Sequence, residues 1–493
     1  MMKRFTRRQF LGATAAAVAL PAMARASEAA ITLRAETRVI EVNGRAASML
    51  QIGRPDGSWG VHRVARQRFR VNLENHLNEP TLVHWHGLTP PYEQDGVPGI
   101  SQPALAPGGV YSYDFPLETP GTYWMHSHVG LQEQRLMAAP LIVHDPADAG
   151  LDEQEVVVML HDFSFRDPDE ILAGLRGGMG HGDMAMDGTM TMDGTMDHST
   201  MPMDSEMASG EMASGEMAMD EDMAMDLNDV EYDAYLANDR TLDDPEVVRV
   251  EPGGRVRLRI INGATSTNFF IGLHGLEGDV VAADGLPVTP VRAHHYPIAM
   301  AQRLDIRVNL PAGQGAYMVY AHREGDTART GIVLATAGAK VEKQSSRAMH
   351  AAPTLDLGLE QQLSALRPLT PRPAERHYQV ALTGGMAAYD WGINGVAYGH
   401  HTPLEVSLGE RVELSLVNKT MMAHPMHMHG VPFQVVAING RRFAGAMRDT
   451  VLVPARGGRV TVAFDATNPG EWAMHCHNLY HMASGMMTTL RYS

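Results

Sequence analysis

Arg411-Val412-Glu413-Leu414-Ser415-Leu416-Val417-Asn418 alternates apolar and polar side chains, the period of a β-strand with one face against a core. The same line occurs twice more, as Arg68-Phe69-Arg70-Val71-Asn72-Leu73-Glu74-Asn75 and as Arg255-Val256-Arg257-Leu258-Arg259-Ile260-Ile261-Asn262. Each copy ends in Asn, and two come just after glycine. Further on, each copy carries a second related strand: Gly121-Thr122-Tyr123-Trp124-Met125-His126, Gly315-Ala316-Tyr317-Met318-Val319-Tyr320-Ala321-His322 and Gly470-Glu471-Trp472-Ala473-Met474-His475. The period is far too long for a solenoid. It predicts an all-β chain of three β-sandwiches, near 27–147, 148–340 and 375–493, with the Ala/Ser/Pro-rich stretch 341–374 as a linker.

The totals narrow the function. A length of 493 residues suits two to four domains. The net charge of −17, with no concentrated basic stretch, argues against a nucleic-acid partner. A single cysteine excludes an intramolecular disulfide, zinc ribbons and iron–sulfur clusters, all of which need several thiols.

Two segments stand outside the repeat. Residues 1–26 read as a cleaved twin-arginine signal peptide: Thr6-Arg7-Arg8-Gln9-Phe10-Leu11, an apolar run over 11–22, then Ala24-Arg25-Ala26. That run is too short to span a bilayer, and no other stretch is long and apolar enough. A periplasmic mature chain without a membrane span is expected. Residues 177–226 hold 14 of the 34 methionines among Asp, Gly, Ser and Thr, with no Lys or Arg. Such a stretch cannot bury a continuous apolar face and reads as an insertion in the second domain.

Four His-X-His pairs carry the chemistry: His84-Trp85-His86, His126-Ser127-His128, His427-Met428-His429 and His475-Cys476-His477. On a strand, residues i and i+2 share a face about 6.6 Å apart, so such a pair can reach one cluster while ligating neighbouring ions. One pair alone is as well explained as surface decoration or a single zinc site. Four pairs at matching places in the first and third copies are not. Cys476 points away from its flanking imidazoles. His481 follows five residues on, Met486 ten residues on, and His424 opens His424-Pro425-Met426-His427-Met428-His429-Gly430. A thiolate, two imidazoles and a weak axial thioether make a blue-copper electron-transfer site.

These motifs resemble the multicopper oxidase family, and most of all its bacterial copper-resistance and cuprous-oxidase branch, over nearly the whole mature chain. The resemblance implies three cupredoxin-like Greek-key β-sandwich domains. It implies four copper ions: type 1 copper on His424, Cys476, His481 and Met486; type 2 copper on His84 and His427; and a type 3 pair on His86, His126, His128, His429, His475 and His477. It further implies a monomer that reduces O2 to water, with a structural second domain. Asp95, eleven residues after His84, stands where the family places an acid beside the cluster. It is a candidate for proton supply, with an ordinary turn aspartate in Gln94-Asp95-Gly96 as the alternative. Met482 follows His481 where some relatives have glutamate, so a proton route there is not expected.

The electron donor is open at this point. Soft thioethers favour Cu(I), which points to a cuprous oxidase serving copper tolerance. The resembling branch places a substrate-copper methionine at Met422, with Met386 and Asp390 as further candidates, although Thr420 stands where relatives often have an acid. Core filling is the alternative for Met422 and Met386. A laccase-like phenol or Mn(II) oxidase would use the same coppers. A copper-sequestering protein would make the methionines the main function.

Overall fold

Sheets come in pairs, three times along the chain. The computed structural model describes residues 29–177 and 227–493. The leader expected at 1–26, and all of the Met-rich stretch except Gly177, lie outside the described residues. Among the described residues, six sheets contain four and four strands, then six and five, then seven and five.

Each of the three alternating lines becomes an inner strand, and each has the same neighbours. Arg68–Asn75 runs parallel to Ile31–Val42 and antiparallel to Val110–Pro116. Arg255–Asn262 runs parallel to Gln154–Phe163 and antiparallel to Arg303–Asn309. Arg411–Asn418 runs parallel to Arg376–Gly385 and antiparallel to Arg459–Asp465. Such mixed pairing requires crossovers between the sheets, as in Greek-key sandwiches. The alternation is read out as burial: Phe69, Val71 and Leu73 face Val83, Tyr123 and Met125 of the opposing sheet. Val412, Leu414 and Leu416 face Met426, Trp472 and Met474 in the third sandwich. Fully burying one such side chain contributes roughly 1.5–3 kcal/mol, and among the described residues each sandwich has its own main cluster of them.

The connection 341–374 is more firmly held than its composition suggests. Leu355 and Leu357 enter the third core, and Leu359 and Leu363 enter the second. Glu360 receives Arg448 Nε at 2.8 Å.

One buried guanidinium joins all three sandwiches. Arg303 donates to Thr122 O of the first at 3.2 Å, to Asp284 O of the second at 3.1 Å, and through both terminal nitrogens to Asp449 of the third. Behind it, Asp284 accepts from Arg448 at 3.1 Å. Removing one partner of such a network leaves an unpaired buried charge. Arg303→Met is therefore expected to destabilise the assembly by on the order of 3–5 kcal/mol, seen in calorimetry as an earlier first unfolding transition. An unchanged profile would show that Arg303 does not hold the sandwiches together.

Candidate metal centre

The four His-X-His pairs meet between the first and third sandwiches because strand register brings them there. His84 on Val83–His84 is the cross-strand partner of His126 on Gly121–Ser127. His427 on His424–Met428 is the partner of His475 on Glu471–Cys476. Directly opposed residues are near neighbours, so each outer sandwich offers a block of imidazoles. The blocks interlock: the His86 and His427 rings stack at 3.7 Å, and His84 and His429 lie 3.9 Å apart. Nitrogens of His128 and His429 lie 3.3 and 3.1 Å from His475 Nε2.

The opposite face of the same strand carries a second group. Met426 is the register partner of Cys476, and His424 lies two residues before it, so His424 and Cys476 share a face. The strand then stops because the Asn478 side chain accepts from Tyr480 N and His481 N, capping the short helix Leu479–Ala483. That turn brings His481 back over Cys476. His424 Nδ1 and His481 Nδ1 lie 3.6 and 3.7 Å from Cys476 Sγ and 3.1 Å from each other. Met486 is fully buried, its carbonyl accepting from Cys476 N at 3.0 Å. The Trp391 ring covers His481 at 4.0 Å.

Sets of three donors, each set within 4.8 Å, are formed by His84 with His86 and His427, by His86 with His126 and His477, by His128 with His429 and His475, and by His424 with Cys476 and His481. Eleven of the twelve candidate ligands fall in these sets, and the twelfth, Met486, is buried in the same core cluster as Cys476.

Acids hold the outward nitrogens of the rings. His86 Nε2 is 3.1 Å from Asp449 Oδ1. A carboxylate only accepts, so Nε2 carries the proton and Nδ1 turns a lone pair inward. His126 Nδ1 meets Glu133 at 3.0 Å. His429 Nδ1 meets Asp95 Oδ2 at 2.8 Å, and His84 Nδ1 lies 2.9 Å from the Asp95 carbonyl. His427 Nδ1 lies 2.8 Å from the Asp449 carbonyl. On the cysteine side, His424 Nε2 meets Thr420 Oγ1 at 2.7 Å and His481 Nε2 meets Asp229 Oδ2 at 3.1 Å. Asp95 is buried, yet its carboxyl lies far below the usual range: burial pushes it up, but the imidazoles of His429 and His84 outweigh that. The tight turn after Asp95 requires Gly96, whose φ is +87° and whose Cβ would run into the Val83 carbonyl beside His84.

Three multicopper oxidase family models match the chain, over residues 61–148, 157–344 and 371–493. The chain is 34% identical to "Multicopper oxidase MmcO" of Mycobacterium tuberculosis, over 99% of this chain and 97% of that protein. The chain belongs to the multicopper oxidase family. It is also 28% identical to "Copper resistance protein A" of Escherichia coli, over 85% of each. The solved structure of a laccase from Botrytis aclada shares the fold, with a TM-score of 0.71 at 21% identity over 93% of this chain and 86% of that one. A member of this family is an oxidoreductase that uses O2, and the fold is the all-β cupredoxin sandwich expected.

The donors present fit the copper this family implies. His84 Nε2, His86 Nδ1, His126 Nε2, His427 Nε2 and His477 Nε2 are buried without a hydrogen-bond partner. Leaving one such group unsatisfied costs about 1–3 kcal/mol, so five together imply a guest that accepts lone pairs. Burial, then neighbouring imidazoles, keeps His86, His128, His427 and His475 well below the usual histidine range, and His429 is lowered to about 4. Burial likewise pushes the Cys476 thiol up. Uncharged imidazoles are ready ligands, while the thiol becomes a thiolate only when a cation compensates it.

Asp449, Glu133, Asp229 and Arg303 carry no spacing signal and escape a reading of the sequence. Each is remote in the chain from at least one ring or sandwich it serves. Asp229 and Arg303 also show that the second sandwich, expected to be structural, reaches both metal groups. Asp95→Asn removes a carboxylate shared by His84 and His429. We expect it to lower O2 turnover roughly 10–100-fold with the visible band of the cysteine site retained. Unchanged turnover would remove Asp95 from the working site.

Proposed function

We propose that this multicopper oxidase is a cuprous oxidase, coupling one-electron oxidation of Cu(I) to four-electron reduction of O2 to water and so serving copper tolerance. On this reading the chain holds four copper ions. His424, Cys476, His481 and Met486 take type 1 copper, and His84 and His427 take type 2 copper. His86, His126, His128, His429, His475 and His477 take the type 3 pair. Bound copper supplies storage for four electrons, which lets O2 go to water without release of partly reduced oxygen. The protein groups orient and enclose: Thr420 and Asp229 aim two Nδ1 atoms at Cys476, and Trp391 keeps water from it. Asp95 remains the candidate for proton supply. A cleft of about 310 Å³ lined by Gly87, Glu118, Tyr123 and Asp449 supports a solvent path towards His86. Export by the twin-arginine route, cleavage after residue 26, a periplasmic location, a monomeric state and the domain limits 27–147, 148–340 and 375–493 belong to the same proposal.

The preference for Cu(I) is carried by where the Met-rich stretch is rooted. Before it, Arg176 Nη2 donates to Ala483 O at 3.0 Å, in the turn that follows His481. After it, Asp229 stands two residues beyond Leu227 and holds His481. The described residues that flank the stretch, Arg176 and Asp229, therefore lie beside the cysteine site, and the 14 methionines between them in sequence are soft donors suited to Cu(I). The name of the Escherichia coli relative points the same way.

O2 uptake with Cu(I) as sole donor tests this directly. Sustained uptake by the intact chain, abolished in Cys476→Ser together with copper tolerance, is expected. No Cu(I)-dependent uptake would favour a laccase-like phenol or Mn(II) oxidase. If deletion of 177–226 removed copper tolerance while Cu(I) oxidation persisted, sequestration would be the main function.

A further inference from the structure

A cavity of about 160 Å³ lies where the second and third sandwiches meet. Its wall includes Ala423, covalently next to His424, the methionines Met300, Met421 and Met422, and one cationic residue, Arg456. Met422 comes from the third sandwich, as does the half-exposed Met421; Met300 comes from the second. The same wall carries Glu324, which is 2% exposed. Its Oε2 accepts from Asn268 Nδ2 at 2.8 Å and its Oε1 from Leu355 N at 2.6 Å. Asn268 Oδ1 in turn accepts from the Met300 backbone N at 3.1 Å, so one residue ties the Glu324 carboxylate to the Met300 backbone.

Among the described residues, no ion pair compensates Glu324, in contrast to the buried Asp449, Asp305 and Asp284; Arg456 lines the same cavity without pairing to it. A buried carboxylate without a counter-charge is costly, and methionine alone would need no such neighbour to fill a core. Met386 is half-buried against the third core and Asp390 is exposed; neither lines this cavity.

We propose that Met300 and Glu324 of the second sandwich join Met422 and Met421 to form the site that receives substrate Cu(I). This rests on the cuprous-oxidase reading above and locates its donor site. Thioethers select the soft monovalent ion, and one carboxylate neutralises its single charge in a buried place. Each Cu(I) gives up one electron and leaves as Cu(II), for which thioethers are poorer ligands. Four such oxidations match one O2 and four protons taken to two waters.

The test uses the copper-loaded full-length enzyme, Met300→Leu and Glu324→Gln. Met300→Leu conserves side-chain volume and is the variant less disturbing to packing. Two quantities are read: the ratio of kcat/KM for Cu(I) to kcat/KM for a phenol, and anomalous density in crystals soaked with Ag(I), a redox-inert soft monovalent ion. The ratio should fall roughly tenfold in each variant, the order of effect for losing one metal partner, and Ag(I) should occupy the cavity of the wild type but not of Met300→Leu. If the wild type oxidises Cu(I) and both variants keep its ratio, the site is overturned while the cuprous-oxidase reading stands. An equal loss with both donors would assign the residues to packing and also overturn it. No Cu(I) oxidation by the wild type would overturn both.

Discussion

Everything in this molecule turns on the two-residue period of one strand, Glu471–Cys476. Because successive side chains leave a strand on opposite faces, His475 and His477 face the first sandwich while Cys476 faces the cap formed by His424, His481 and Trp391. Two candidate metal-binding groups with different donors are thereby fixed a few covalent bonds apart. A one-residue slip in the pairing of His427 with His475 would exchange the faces and dissolve both groups at once. The alternating strands, the sheet register and the Asn478 cap all serve to keep that register.

Keeping it requires more than the two outer sandwiches. Neutral imidazoles whose lone pairs face one another repel each other, and the rings would turn away unless their outer nitrogens were held. Asp95, Asp449 and Glu133 do this for the large cluster, Thr420 and Asp229 for the cysteine group. Asp449 is in turn held by Arg303, which also touches the first sandwich. Metal chemistry and the union of the three sandwiches therefore share one buried charge network. The second sandwich, which has no His-X-His pair, enters the chemistry through Arg303 and Asp229.

What could be read in the sequence was local. Strand alternation and His-X-His spacing express a two-residue period, and the distances from Cys476 to His481 and Met486 span one turn and one cap. They pointed to the all-β fold, and the structure brings eleven of the twelve candidate ligands into sets of three donors at two neighbouring places. Carboxylates that orient rings from another sandwich leave no such imprint, since Asp449 and His86 are joined only by folding. Composition marked 341–374 as a connection but not how it is held, because four leucines spaced among polar residues suffice to pin it between two cores. The methionines show both sides: Met422 stood near His424 and was legible, whereas Met300 and Glu324 reach the same cavity from the second sandwich and were not.

The central claim is that one chain holds two centres sharing this strand, one of which depends on Cys476. Copper per chain, measured by elemental analysis on purified wild type and on Cys476→Ser, tests it most directly. The account predicts four coppers in the wild type and three in the variant, with the visible band of the cysteine site lost and the trinuclear group still loaded. Fewer than four in a fully loaded wild type, or an unchanged count and spectrum in Cys476→Ser, would contradict it.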